Sequence, residues 1–483
     1  MSISTALNSA MSGLFAAGRA SALVSGNIAN AMTPGYALRS LELGSNAGTG
    51  PGVQVLGIRR HADPGLIANR RGADAAHGAA EVISDFHARL ESLIRTATDA
   101  QSIPARLADF ESSLIAAASR PESAERLDAV ALRAGGLAGA LAGASAGLRD
   151  MRESADREIA TQVTRLNAAL AQVRDLNVRI TASGASGADT GGLMDQRQLL
   201  VDEINTIVPV RIAARDHGQI ALYSDGGAIL LDGTAAQVGF TAGNAILPHM
   251  TAENGMLSGL ELNGIAIRTG SDDGALRGGT LGALFAVRDE LAVTAQAGLD
   301  AQARDLVERF QAPGLDPTVA AGAAGLFTDA GARFDPGFET GLAGRIGLNA
   351  AVDPLAGGTS WKLRAGLGAT VPGAVGEARQ LTAFADGLTA TRLPASGNFG
   401  TGPLTAAAIA TSVQSRAAQD RGLSEQALGF AAAGRTELLR MELAQGVDTD
   451  AELQTLMVVE QAYAANVRVI QAVDEMMQTL LRM

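Results

Sequence analysis

Both ends of this 483-residue chain carry an apolar pattern that recurs at alternating steps of four and three residues. At the N-terminal end the pattern occupies Ile3, Leu7, Ala10, Leu14, Ala17, Ser21, Val24 and Ile28. Near the C-terminal end it occupies Leu456, Val459, Tyr463, Ile470, Val473, Met477 and Leu480, with Asn466 as a polar interruption. Two apolar positions in seven are typical of helices that pack as coiled coils. We therefore predict a terminal helix at each end of the chain.

Helical periodicity continues inward from both ends. Thr33-Pro34-Gly35 is predicted to end the first helix, and a loop at 44–52 and a short strand at 53–58 are predicted to follow. Pro121 is predicted to open a helix as its first residue, and the Ala/Gly-rich patch from Gly135 to Gly147 weakens the helical pattern. A further helix is predicted at 280–310.

The middle of the chain alternates like a set of short strands separated by turns at Asp216-His217-Gly218, Asp225-Gly226-Gly227 and Asp232-Gly233. The predicted fold class is a multi-domain, mainly α chain with a smaller β domain. Residues 1–45 with 447–483 are predicted to form an antiparallel coiled coil of the terminal helices. Residues 46–206 with 276–446 are predicted to form a long helical bundle, loop-rich at 313–376. Residues 207–275 are predicted to form a small antiparallel β domain.

Charge and composition narrow the class of function. The 38 basic and 50 acidic residues give a net charge of −12, which argues against binding to nucleic acid because phosphate contacts need clustered Lys and Arg. The chain contains no cysteine, so disulfides, thiolate chemistry and Cys–zinc sites are excluded. Its apolar runs fall short of the roughly 20 residues that cross a bilayer, so we expect no membrane partner.

Enzymatic motifs are weak in this sequence. A phosphate-binding loop needs Gly before its lysine and Ser or Thr after it, whereas Lys362 lies between Trp361 and Leu363. The five histidines lack zinc-ligand spacing. We accordingly expect no enzyme activity, no cofactor and no metal. One alternative stays open: a carboxylate pair that includes Asp272 or Asp273 could serve a muramidase-like, cell-wall-acting protein.

Turn residues at both ends carry a family resemblance. The segments Asn27-Ile28-Ala29-Asn30 and Thr33-Pro34-Gly35-Tyr36 resemble the end of the N-terminal helix in the flagellar rod, hook and hook-associated family. The segment from Glu460 to Asn466 is similar to the terminal helix of the same family. One departure is Ala37-Leu38-Arg39, where the family pattern has a polar residue and an earlier arginine. A match at both ends is more specific than a match at either.

Two internal segments resemble the family member at the junction between hook and filament: Leu193-Met194-Asp195-Gln196-Arg197, and the glycine-rich run from Gly278 to Leu284. A rod or hook subunit of the same family remains the alternative. We interpret Asp195, Gln196 and Arg197 as structural polar contacts rather than catalytic groups.

The resemblance implies a structural subunit, exported by the flagellar type III apparatus and located outside the cell. It implies four kinds of partner: further copies in a tubular polymer, hook subunits, a second hook–filament junction protein, and a cytoplasmic export chaperone on the C-terminal helix. On this interpretation the terminal stripes pack between subunits, at Ile3, Leu7, Leu14, Val24, Ile28, Leu456, Tyr463, Ile470, Met477 and Leu480.

Overall fold

The computed structural model describes residues 3–45, 52–96, 98–270 and 274–482. Its helices are α1 (Ile3–Ala29), α2 (Pro64–Ile94), α3 (Ile103–Ser119), α4 (Ala124–Ala185), α5 (Gly191–Ile207), α6 (Gly279–Ala286), α7 (Ala292–Phe310), α8 (Leu342–Arg345), α9 (Lys362–Ala365), α10 (Arg379–Thr389), α11 (Ala406–Ala444) and α12 (Thr449–Arg482). Its strands are β1 (Arg39–Ser45), β2 (Val53–Arg60), β3 (Val210–Ala214), β4 (Ile220–Ser224), β5 (Ile229–Asp232), β6 (Thr234–Ala235), β7 (Val238–Gly239), β8 (Leu260–Leu262), β9 (Ile265–Ile267), β10 (Phe327–Asp329) and β11 (Ile346–Leu348). Helices dominate and the sheets are small, as the sequence predicted.

Residues Met1–His77, Arg165–Gln237 and Ala431–Met483 form one compact unit, called here the first unit. In it α1 packs along α12. The Asn27 side chain bonds Glu452, and Gly13 faces Asn466. These two contacts are equally far apart along both helices and run in opposite directions, so the helices are antiparallel. The hairpin of β1 and β2 packs on α1.

The β1–β2 hairpin was predicted only in part. The sequence indicated a strand at Val53–Ile58, which lies inside β2, but gave no strand before it. In the structure, β1 pairs antiparallel with β2 from Arg39↔Arg60 to Ser45↔Val53, with a bulge at Glu42/Leu43. The polar and glycine content of 39–45 hides the alternation, so β1 is defined by its partner strand. Much of the loop predicted at 44–52 lies outside the described residues.

The segment predicted as one β domain, 207–275, forms two separate sheets. Strands β3 to β6 make a four-stranded antiparallel sheet in the first unit, in sequence order. Strands β7 to β9 make a three-stranded sheet in the second unit, which comprises Gly78–Thr164 and Val238–Phe430. The predicted turns are present, with positive φ at Gly218, Gly227 and Gly233. Hairpin pairing is local and readable from sequence, but which unit a hairpin joins depends on distant contacts.

A cluster of four phenylalanines lies in the core of the second unit. Phe110 of α3, Phe310 of α7, Phe327 of β10 and Phe384 of α10 are all buried. The ring centroids of Phe310 and Phe327 lie 5.2 Å apart, and those of Phe110 and Phe327 lie 5.8 Å apart in an edge-on arrangement. With aromatic residues at only 3% of the chain, this cluster concentrates a large share of them in one core.

A single π-turn, Val287–Leu291, interrupts the helix that was predicted as continuous from 280 to 310. There the backbone N–H of Ala292 donates to the carbonyl of Val287, five residues earlier. The turn holds the fully buried Arg288, whose Nη1 donates to Asp156 Oδ1 at 2.6 Å. Arg152 in turn donates to the Arg288 carbonyl at 2.8 Å. The π-turn thus places the guanidinium of Arg288 against Asp156 of α4 and against the adjacent Asp289.

Helix α4 runs for 62 residues through the Ala/Gly-rich patch at 135–147, where the sequence pattern had weakened. An 18-residue window of this helix reaches a mean hydropathy of 1.3, enough by length and composition for a membrane span. Within the described residues 44% of that window is buried in the protein. Leu137, Leu141 and Leu148 of this helix are almost fully buried within the protein. Pro121 precedes α4 in a turn and does not open the helix, contrary to the sequence interpretation.

The second unit should lose stability sharply when its aromatic core is truncated. We expect Phe110→Ala to lower the free energy of unfolding by about 3–5 kcal/mol, because it removes a fully buried ring and leaves a cavity. Phe338→Ala is the matched control, since that ring is 69% exposed and its loss should cost less than about 0.5 kcal/mol. Urea denaturation measures both. Equal losses for the two variants would contradict the described core.

Candidate assembly interface

The terminal helix pair is the candidate functional site, and most of its predicted stripe lies toward the partner helix. On α1, Val24 is buried and Ile3, Leu7, Leu14 and Ile28 are half-buried. On α12, Leu456 and Ile470 are half-buried, and Val473 is buried. Tyr463, Met477 and Leu480 are instead 44%, 47% and 60% exposed. The pairing within one chain therefore covers only part of the C-terminal stripe.

Glycine and asparagine meet where the two helices approach each other. A Cβ atom on Gly13 would lie 2.8 Å from the Asn466 amide nitrogen, so the side chain of Asn466 rests on the backbone of α1. The Asn466 amide also donates to the carbonyl of Ala462 at 3.0 Å. The polar interruption of the C-terminal stripe thus lies at the helix contact, where a polar residue can specify register.

Asn27 is the most connected polar group of the terminal pair. It is 1% exposed, and its amide nitrogen donates to the Arg39 carbonyl at 2.8 Å and to Glu452 Oε2 at 2.9 Å. Its oxygen accepts from the Tyr36 hydroxyl at 2.7 Å and from the Arg39 backbone N–H at 3.3 Å. Both hydrogens and both lone pairs of one buried amide are used. The motif residue therefore joins α1, the following turn, β1 and α12.

The turn after α1 explains the other motif residues. The amide of Asn30 donates to the Gly26 carbonyl at 2.9 Å and caps the end of the helix, while Pro34 is exposed. Gly35 has φ +76°, and a Cβ there would lie 2.8 Å from Leu199 Cδ2. Both the backbone conformation and the close approach require glycine. Burial raises the pKa of Tyr36, whose hydroxyl is held by Asn27.

Asp195 is a structural ion-pair centre. Its carboxylate accepts from Arg39 Nη2 at 2.5 Å and from Arg60 Nε at 2.7 Å, which ties α5 to both strands of the hairpin. Gln196, the next residue of the motif, is exposed. Arg197 is buried and donates to Asn177 Oδ1 at 2.8 Å and to the Gly218 carbonyl at 2.7 Å. Asp195 and Arg197 therefore make polar contacts with other elements of the first unit.

Sequence reasoning missed a second ion-pair group in the first unit. Arg70 pairs with Asp74 at 2.5 Å and with Asp202 at 2.7 Å, and it also contacts Glu442. Arg71 pairs with the other oxygen of Asp202 at 2.5 Å. The sequence signal for this group was the pair of adjacent arginines, Arg70 and Arg71, on a predicted helix. Asp74 lies only four residues from Arg70, but Asp202 and Glu442 lie more than a hundred residues away in sequence, so spacing alone could not reveal them.

Large apolar side chains remain uncovered on the outer faces of the pair. On α1, Met11 is 56% and Phe15 62% exposed. On α12, Met457 is 57%, Val458 65% and Leu481 83% exposed. Several large apolar side chains exposed on one helix pair favour contact with other molecules.

Catalytic and metal-binding interpretations gain no support from the part of the chain that the structure describes. Among those residues no group of three or more His, Cys, Asp or Glu side chains could hold a metal ion. Asp272 and Asp273, the carboxylates of the muramidase-like alternative, lie outside the described residues.

The ion-pair centre yields a direct prediction. Asp195→Asn removes the charge that Arg39 and Arg60 share, so we expect amide hydrogen exchange in β1 and β2 to accelerate at least tenfold, or about 1.4 kcal/mol. The control is Asp175→Asn in the same unit, whose carboxylate is 62% exposed and pairs with the adjacent Arg174. Unchanged exchange in the hairpin of the Asp195 variant would show that the centre does not hold it.

Two family models match the chain. Residues 87–324 match the helical domain of the flagellar hook-associated protein FlgK. Residues 444–483 match the C-terminal region of the flagellar basal body rod FlgEFG proteins. The second match includes all of α12 that the structure describes.

Curated relatives agree with these matches. The chain is 28% identical over 286 residues to flagellar hook-associated protein 1 of Escherichia coli strain K12, covering 53% of this chain and 52% of the relative. It is 30% identical over 286 residues to the protein of the same name from Salmonella typhimurium, covering 53% and 51%. The chain thus spans about half the length of the curated relatives it matches.

A solved structure is also similar: the flagellar hook junction protein FlgK from Burkholderia pseudomallei, at 20% identity and a TM-score of 0.44, covering 54% of this chain and 46% of that chain. The two family models and the curated relatives agree with one another and with the motifs at both ends. The comparisons thus confirm the resemblance of this chain to the flagellar rod, hook and hook-associated protein family.

Proposed function

We propose that this chain is a structural subunit of the bacterial flagellum that forms the junction between hook and filament after type III export. The observation that carries the proposal is the terminal helix pair, which is fixed internally by Asn27 and leaves large apolar side chains exposed on its outer faces. Exposed apolar side chains are stabilised when another molecule covers them, and further copies of the same chain in a tubular polymer would do so. The helical-domain match to hook-associated relatives favours the junction over the rod or hook.

The partners follow from that position. Hook subunits would lie on one side and a second junction protein on the other, outside the cell. Before export, a cytoplasmic chaperone would cover the apolar face of α12, where Met457, Val458 and Met476 are 57%, 65% and 48% exposed. On this proposal the terminal helices form a coiled coil that packs between subunits, and the internal ion pairs serve folding rather than chemistry.

The position of the chain in the flagellum distinguishes a junction subunit from a rod or hook subunit. We expect gold-labelled antibodies against the chain to bind intact flagella in one narrow band between hook and filament. Cells that lack the gene provide the control for non-specific label. Label along the hook or within the basal body would instead identify a hook or rod subunit and contradict the junction proposal.

The outer face of α12 should be needed for assembly but not for folding. We expect Val458→Glu to reduce the amount of chain bound to isolated flagella at least tenfold, because it places a charge on a 65% exposed apolar position. Gln461→Glu is the control, since it adds the same charge at an exposed polar position of the same helix. Far-UV circular dichroism should match wild type for both variants.

Quantitative blotting of flagella from complemented cells measures incorporation. Normal incorporation of the Val458 variant would show that this face does not contact neighbouring subunits. Equal loss in the Gln461 variant would indicate a general effect of added charge.

A further inference from the structure

A cavity of about 620 Å³ lies within the first unit, bordered by α2, α5 and the four-stranded sheet. Its walls are largely apolar and include Pro64, Ile67, Met194, Val201, Ile212 and Ile220. This volume lies within the roughly 300–1,000 Å³ that is usual for small-molecule sites in proteins. The cavity is separate from the exposed outer faces of α1 and α12.

Four arginines line the cavity, and three of them each lie within ion-pair distance of a carboxylate. The pairs are Arg60 with Asp195 at 2.7 Å, Arg71 with Asp202 at 2.5 Å, and Arg211 with Asp225 at 2.8 Å. The fourth is Arg197, and no carboxylate of the described residues lies within ion-pair distance of it. Arg197 is therefore the cavity-lining cation that no carboxylate of the described residues contacts.

Arg197 is 9% exposed, and both of its hydrogen bonds leave from Nη1 to neutral oxygens, Asn177 Oδ1 and the Gly218 carbonyl. Nε and Nη2 donate to no group among the described residues, so an occupant of the cavity can accept from them. Burial, together with the neighbouring charge of Arg60, lowers the pKa of Arg197 to about 10. Burying a cation without an anionic partner is unfavourable in free energy, and a bound anion would offset this penalty.

We propose that the cavity binds a small monocarboxylate on an aliphatic stem, with the carboxylate paired to Arg197 and the stem against the apolar wall. One uncompensated charge matches one carboxylate, and the planar fork of a guanidinium matches its two oxygens. A multiply charged anion would exceed the available positive charge. A neutral amphiphile would fill the apolar space but leave Arg197 uncompensated.

Isothermal titration calorimetry at pH 8 tests the proposal with octanoate and octan-1-ol as probes. The full-length wild-type chain should bind octanoate at least tenfold more tightly than octan-1-ol, since the two share a stem and differ in charge. Arg197→Met keeps the length of the side chain and removes its charge, so it should weaken octanoate binding at least tenfold. Octan-1-ol binding should change less than threefold.

Arg211→Met is the matched control, because Arg211 lines the same cavity but is 76% exposed and paired with Asp225. Its octanoate affinity should stay within twofold of wild type. Equal binding of the two probes to wild type, unchanged octanoate binding by the Arg197 variant, or no octanoate binding would each overturn the proposal. If the Arg197 variant fails to fold, the wild-type comparison of the two probes decides alone.

Discussion

The buried amide of Asn27 is the contact on which the arrangement of the first unit depends. It holds the hydroxyl of Tyr36, the backbone of Arg39 and the carboxylate of Glu452 at once. An apolar residue of the same size would leave several buried polar groups without partners, at roughly 1–3 kcal/mol each. Because only one geometry satisfies all four bonds, the amide fixes where α1 ends, where β1 begins and which turn of α12 lies alongside.

Asp195 offsets the repulsion between two arginines that the β1–β2 hairpin places side by side. In the antiparallel register Arg39 lies directly opposite Arg60, and like charges at opposite positions destabilise a strand pair. Asp195 accepts a hydrogen bond from each, so the repulsion becomes a three-residue ion pair that includes α5. Buried arginine is also paired in the second unit, where Arg288 of the π-turn contacts Asp156 and the adjacent Asp289. In both units carboxylates compensate arginines that the local backbone brings into an unfavourable position.

Features that depend on local sequence pattern were predicted, whereas contacts between residues far apart in sequence were not. The terminal helices, the stop at Pro34 and the hairpin turns at Gly218 and Gly227 depend on neighbouring residues, and they appear as predicted. The weak patch in α4 stays helical because its small residues admit close neighbours. A Cβ on Gly147 would lie 2.5 Å from Leu93 Cδ2. Asn27 was identified by its motif, but its bond to Glu452 joins residues 425 positions apart.

On α12, polar residues contact α1 within the chain, whereas large apolar residues are exposed to other molecules. Glu452 and Asn466 face α1, and together with the buried Val473 they fix the rotation of the helix about its axis. That rotation determines which side chains point outward. Val458 and Met457 are thereby presented in a defined orientation. A helix with a heptad pattern but one buried residue is consistent with a surface whose remaining cover comes from other subunits.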